Sequence, residues 1–286
     1  MFEMFQLEFI TQAFILTVIV GIVLSYLGVH VVGRGIVFVD LALGQISSLG
    51  VAFSDYIGIG KTTIPIAFAL VGALLMSFIH LKDKRIKLEA IIGIIYAVAS
   101  AATVMLISKT PHGDSDIQEV LFGNILSVSW DQIRLSGLIF GLIALLHFLF
   151  FKKFQKVTNH FAHTNADSEM ASPLTGKGEF RLWNFLFYIS IGLSIVFAVR
   201  VSGVIPVFSF LIIPAVAALM VARKNISIVL FAALISVLGA FFGLNVSYKY
   251  DFPAGSSIVA VLGGLFLLVS VYYTVKSFAK KKKSAA

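Results

Sequence analysis

The sequence predicts an all-α integral membrane protein, a polytopic bundle of about nine transmembrane helices, with eight as the alternative count. Two observations carry that prediction. Of the 286 residues, 59% are hydrophobic and only 13% are charged, with a mean hydropathy of +0.99, so a water-soluble fold would leave far too much apolar surface uncovered. Apolar runs of the roughly 20 residues needed to cross about 30 Å of hydrocarbon also recur along almost the whole length. They fill residues 1–286 as a single transmembrane domain and leave no room for a separate soluble one.

Taken in order, the expected crossings run over residues 9–30, 36–54, 63–80, 88–107, 134–151, 183–201, 204–222, 226–247 and 256–275. No basic residue stands in the opening MFEMFQLEF, so the cationic start of a cleavable leader is missing and the first span is expected to be retained. The second, FVDLALGQISSLG at its core, is the least regular together with the seventh. Between spans two and three, GIGKTT contains the GKT of a phosphate loop. An aspartate, Asp55, occupies the first glycine position of that motif, and no strand precedes it. A turn at Gly58 and Gly60 is the expectation, with Thr62 or Thr63 capping the next helix and Pro65 in its first turn. Gly137 and Gly141 form a GxxxG pair in the fifth span, a signal for close helix contact. The seventh, VIPVFSFLIIPAVAALMVAR, carries Pro206 near its start and Pro214 in its middle. A mid-span proline frees a carbonyl, as at a broken helix beside a substrate path, or simply kinks a packed helix.

Alternate loops differ sharply in basic residues. Arg34, Lys82, Lys84, Arg85, Lys87, Lys152, Lys153, Lys156, Lys177, Arg181, Arg223, Lys224, Lys276 and Lys280 to Lys283 all fall in one set, most of the 22 in the chain. That set is expected inside, placing the N-terminus outside and the C-terminus in the cytoplasm of a multi-pass bacterial plasma (inner) membrane protein. The net charge of +8 is then a topology signal that needs no nucleic acid, and the basic tail 276–286 is expected to touch anionic lipid. The opposite face carries more acidic than basic residues, as a cation-collecting mouth would, or as solvated loops do. With no cysteine, any transition-metal contact must use imidazole, carboxylate or backbone oxygen.

Three clusters are candidates for function. In the second span Asp40 is an ionisable group that should face a water-filled path or a partner. On a helix it shares a stripe with Gly44, Ser47 and Ser48, whereas Gln45 lies about 140° away at about 100° per residue, so one ion is not expected to touch both. Snorkelling of Asp40 to the interface is the alternative. In the outer loop KTPHGDSDIQEVLFGN, the group His112, Asp114, Asp116 and Glu119 is a donor set suited to Mn²⁺, Fe²⁺ or Zn²⁺, or else a solvated loop. The long polar stretch 152–182 holds His160 and His163, three apart on a possible short helix. A docking surface is expected there in preference to a metal pair.

The ordered combination of LFGNILSVSW, LIIPAVAALMVAR and DFPAGSSIVAV, with GVHVVGRGIVFVDLALGQISSLGVA before them, resembles the permease subunits of the manganese, zinc and iron ABC importers, the ABC-3 family, over nearly the whole chain. The resemblance implies a type II importer-like fold and no enzymatic activity. It further implies a permease dimer, a homodimer or a pair with a related chain, seated on two ABC ATPase subunits and fed by an extracytoplasmic metal-binding protein. No cofactor is bound permanently; a divalent metal ion is the cargo, and ATP is held by the partner alone. Asp40, Gly44, Gln45, Ser47, Ser48 and Pro214 would line the translocation path, and the loop 152–182, with His160, His163, Asp167 and Glu169, would couple to the ATPase. Family members carry an aspartate and a histidine four apart in the second span; Leu41 and Gln45 stand at those positions here, with Asp40 one place early. A permease for a metal chelate such as haem or a siderophore is therefore an alternative, and an ATP-independent carrier or channel titrating Asp40 is a further one.

Overall fold

The computed structural model describes residues 3–60, 63–78, 88–109, 123–163 and 179–284, and within them every regular element is helical. After a 3₁₀ turn at Glu3–Gln6 come α1 (Glu8–Gly33), α2 (Val39–Ile57), α3 (Thr63–Phe78), α4 (Leu88–Ile107), α5 (Trp130–Leu149), α6 (Phe151–His163), α7 (Glu179–Ser202), α8 (Val204–Val221), α9 (Asn225–Tyr250) and α10 (Ala254–Ser284). Each of the nine predicted crossings coincides with one of these helices, and α6 is additional. Seven, all but α2, α3 and α6, are long and apolar enough to cross a membrane. Only helices close every backbone hydrogen bond within one segment, which is why apolar runs of this length can take no other form in lipid.

The helix ends follow local chemistry. Helix α5 starts at Trp130, four residues before the predicted span, because Ser129 caps it: Gln132 N–H donates to Ser129 Oγ at 3.4 Å, and the Gln132 side chain accepts from Ser129 N–H at 2.9 Å. Helix α2 stops at a left-handed Gly58 (φ 74°), whose N–H bonds Ser54 O, and the Ser54 hydroxyl donates to Ile59 O at 2.9 Å. The GIGKTT stretch is thus a helix stop and a turn into α3. Pro206 sits in the first turn of α8, where no N–H is needed; Pro214 lies inside the helix, so Phe210 O lacks its usual donor, yet α8 runs unbroken through it.

Helix α1 is the most thoroughly buried of the candidate spans and forms the axis of the bundle, packed against α5, α8 and α9, with α10 closing on α8 and α9. Helices α2, α3 and α4 form a second group that joins the first through α7. Small residues set the approach. A Cβ on Gly28 would land on the carbonyl of Leu211, so α1 and α8 meet backbone to backbone. The Gly137 and Gly141 pair makes no such contact: a Cβ on Gly137 would have only Ile19 Cδ1 at 3.9 Å, and one on Gly141 nothing within 4 Å. The GxxxG spacing in α5 marks no helix crossing within the described part of the chain.

A candidate translocation site at mid-depth

Sequence position places Asp40 near the start of its helix, but the structure puts that start deep in the bundle. A Cβ on Gly44 would lie 3.3 Å from Val204 Cγ1 and 3.7 Å from Val199 Cγ2, so the Gly44 face of α2 abuts the junction of α7 and α8. That junction is itself far from either end of α1. The α1 contacts of Gly21 with Phe210 and of Gly28 with Leu211 run parallel along α8. With the Leu211 carbonyl over Gly28, Val204, seven residues earlier on the parallel α8, comes near the level of Gly21, which at about 1.5 Å per residue is on the order of 20 Å along α1 from Glu8. From the other side, Asn184 of α7 bonds Arg34 just beyond the end of α1, and Val199 stands on the order of 20 Å further along α7. Two registers therefore place the α7–α8 junction about midway along α1, the level termed mid-depth.

The turn that makes this possible is Gly203 (φ 76°), a backbone region closed to most side chains; its N–H closes on Val199 O at 2.8 Å. Ser202, Gly203 and Val204 are all buried. The end of α7 and the start of α8 therefore lie side by side inside the bundle, where a Cβ on Gly123 would fall 2.6 Å from Ser202 O.

The polar residues of α2 converge on that place. Asp40, Gln45, Ser47 and Ser48 are only 3%, 2%, 1% and 1% exposed, and Asp40, Ser47 and Ser48 lie within about 60° of the Gly44 direction. Burial of this degree removes snorkelling of Asp40 to the interface. Among the described residues no other side chain hydrogen-bonds the Asp40 carboxylate, and the Ser48 and Ser202 hydroxyls are likewise without partners. Asp40 lies in the first turn of α2, where the helix N-terminus favours negative charge. The opposite side of α2 is ordinary packing: Gly50 lies against Pro65 and Phe68, and Ile46 fills the space over Gly72 of α3.

The polar groups that share the Gly44 face are a carboxylate and two hydroxyls, Asp40, Ser47 and Ser48, hard oxygen ligands of the kind that suit Mn²⁺ or Mg²⁺ better than softer ions, while Gln45 lies on the neighbouring face. Among the described residues there is no group of three or more His, Asp or Glu placed to hold a metal ion. Pro214 is not part of this gathering. It is buried on α8 about 15 Å along the helix from Val204, on the stretch that packs against α1.

The other predicted residues fall elsewhere. His160 is exposed on α6 with its ring against Phe180 (4.8 Å between centroids), and His163 ends the same helix, so the polar stretch 152–182 begins and ends helical. His112, Asp114, Asp116, Glu119, Asp167 and Glu169 lie outside the described residues. Sequence reading missed a second buried polar group at the Arg34 end of α1. There Tyr26, His30 and Arg34 of α1 meet His147 of α5, Thr158 of α6 and Asn184 of α7. The available signal was the spacing of Tyr26, His30 and Arg34, each four apart in an otherwise apolar helix.

A family model described as the ABC 3 transport family matches residues 6–273. The manganese transport system membrane protein MntC of Listeria innocua is 27% identical over 284 residues, covering 97% of this chain and 96% of that one. The manganese import system permease protein ScaB of Streptococcus gordonii is 28% identical over 276 residues, covering 96% and 95%. Among solved structures, PsaBC from Streptococcus pneumoniae in complex with Fab superposes with a TM-score of 0.76 at 26% identity over 92% of this chain and 91% of that one. An inward-facing conformation of a putative metal-chelate type ABC transporter gives 0.69 at 17% identity, a likeness of fold.

Proposed function

The chain belongs to the ABC 3 transport family, a family of membrane permeases and not of enzymes, and we propose that it forms the translocation path of an ATP-driven importer for a divalent metal ion, with Mn²⁺ the favoured cargo. The observation that carries this reading is the burial of Asp40, Ser47 and Ser48 on the face of α2 whose Gly44 abuts Val199 and Val204 at the junction of α7 and α8. An ion leaving water needs oxygen ligands at the middle of the bilayer, and it must not be held so tightly that it stays. A lone carboxylate with neutral oxygens around it meets both needs. The full-length likeness to manganese permeases points to the same cargo.

In this reading the chain works as a pair, with ATPase subunits on the cytoplasmic side and a metal-binding protein delivering from outside. The basic loops and tail face the cytoplasm. Nucleotide closure reaches the bundle through the region 152–182 and tilts the helices around the α7–α8 junction, so that the oxygen site opens to each side in turn. His112, Asp114, Asp116 and Glu119 would collect the ion at the outer mouth.

Cells lacking the chain are expected to lose high-affinity ⁵⁴Mn²⁺ accumulation in manganese-limited medium and to regain it with the gene restored. Unchanged accumulation of Mn, Zn and Fe would remove the proposal. One feature supports a second reading: Leu41 and Gln45 occupy the positions at which an aspartate and histidine are expected, so an ion already wrapped in a chelator would also fit the weak ligand set. Uptake of a labelled chelate without uptake of the free ion would select it.

A further inference from the structure

Helix α6 is joined to the bundle by a buried hydrogen-bonded hub centred on one hydroxyl. Arg34 Nε–H donates to Thr158 Oγ1 at 3.1 Å, and the hydroxyl lies 2.8 Å from His30 Nδ1, with its own proton free to be donated there. Arg34 reaches on with Nη1, donating to Asn184 Oδ1 at 2.9 Å, and its guanidinium lies 3.6 Å over the ring of Phe187. Beside it His147 stacks on Phe154 of α6 at 3.9 Å, and its Nδ1 shares a hydrogen bond with Tyr26 OH at 3.2 Å. His30, Arg34, His147, Thr158 and Asn184 are all buried.

Two features set this apart from ordinary packing. The outward side of α6 is polar, with Lys152, Lys156, Asn159 and His160 exposed, so the helix lies at the rim and is available to a partner while its inward side is locked. The locked side grips the axis helix α1 and the helix α7 that ends at the mid-depth junction. A continuous chain of close contacts then leads inward: Thr158 to Arg34 and His30, α1 to α8 through Gly28 on the Leu211 carbonyl, and α7 through Val199 to Gly44 of α2. Close-packed helices joined by buried hydrogen bonds move as one body more readily than they shear, because parting them strands charged and polar groups in a low dielectric.

We propose that Thr158 is a positioning residue for transport: through His30 and Arg34 it makes α6, α1 and α7 a single lever, so that a push on the rim helix reaches the mid-depth oxygen site. This rests on the importer reading above, with α6 on the ATPase side. It adds α1 as the element driven and names the atoms that drive it.

The test uses the whole transporter, permease with its ATPase and binding protein in liposomes, with Mn²⁺ accumulation and phosphate release measured on the same vesicles. Thr158→Val keeps the shape of the side chain and removes the hydroxyl. It is expected to retain phosphate release while the Mn²⁺ moved per ATP hydrolysed falls about tenfold, within the usual range of coupling between sites. Thr158→Ser keeps the hydroxyl and is expected to restore the ratio. Where Thr158→Val destabilises the protein, the ratio still decides, since it is taken per ATP hydrolysed by the surviving assemblies. A Thr158→Val transporter with the parental ratio, or a Thr158→Ser one as uncoupled as Val, overturns the proposal. A parental transporter that moves no Mn²⁺ with ATP overturns the importer reading instead.

Discussion

Replacing Gly28 by alanine tests the register on which the mid-depth site depends. The added Cβ would fall on the Leu211 carbonyl group, 2.7 Å from its carbon and 3.3 Å from Ala215 Cβ. A comfortable carbon–oxygen contact needs about 3.3–3.6 Å. The obstacle is backbone within a helix, so it cannot turn aside as a side chain would, and α8 must be displaced from α1. Overpacking of a core costs about 1–3 kcal/mol, and an unyielding obstacle belongs at the upper end. At about 2 °C or more of melting temperature per kcal/mol for a chain of this size, the apparent Tm in detergent should fall by roughly 6 °C. Gly192→Ala in α7 is the matched control: a Cβ there meets nothing within 4 Å, and alanine is the better helix former, so its Tm should hold or rise slightly. If Gly28→Ala melts with the parent and Gly192→Ala, α1 and α8 do not meet backbone to backbone, and the depth assigned to Val204 and Gly44 is wrong.

Asp40→Asn should separate stability from transport. The Asp40 carboxyl is buried without a side-chain partner, and an unpaired buried amide, at about 1–3 kcal/mol, costs no more than the carboxyl it replaces, so the variant should melt no lower than the parent, while ⁵⁴Mn²⁺ uptake falls at least about tenfold. Parental uptake in that variant would take Asp40 out of the path. Ser129→Ala removes the cap that starts α5 and should cost about 1 kcal/mol, a loss of about 2 °C in Tm, with Ser129→Asp close to the parent; equal melting of all three would show that the capping box contributes nothing.

Much of the architecture was legible in the chain itself. The nine apolar segments of this length were readable as helices, the structures that close every backbone hydrogen bond within one segment, and most of their ends fell within a few residues; α5 and α7 start four residues early, α5 at the SWDQ capping box that hydropathy alone overlooks, and α10 runs nine residues past its predicted end. The stripe of Asp40, Gly44, Ser47 and Ser48 was also readable, because helical periodicity fixes which residues share a face. Periodicity says nothing of depth or of neighbours. Because Asp40 opens its helix, the sequence left an interfacial position open beside the path-lining one, and the seating of Gly44 on Val204 shows that α2 begins inside the bundle. The hub at Thr158 was only half legible for the same reason: the spacing of Tyr26, His30 and Arg34 marks one polar stripe of α1, but His147, Thr158 and Asn184 are far apart along the chain and nothing local specifies that they meet it. Hydrophobicity and hydrogen-bond closure act segment by segment, so sequence determines which pieces of this protein span a membrane. How far each helix slides along the next is set by long-range contacts, glycine against carbonyl and arginine against threonine, that come into being only when the helices meet.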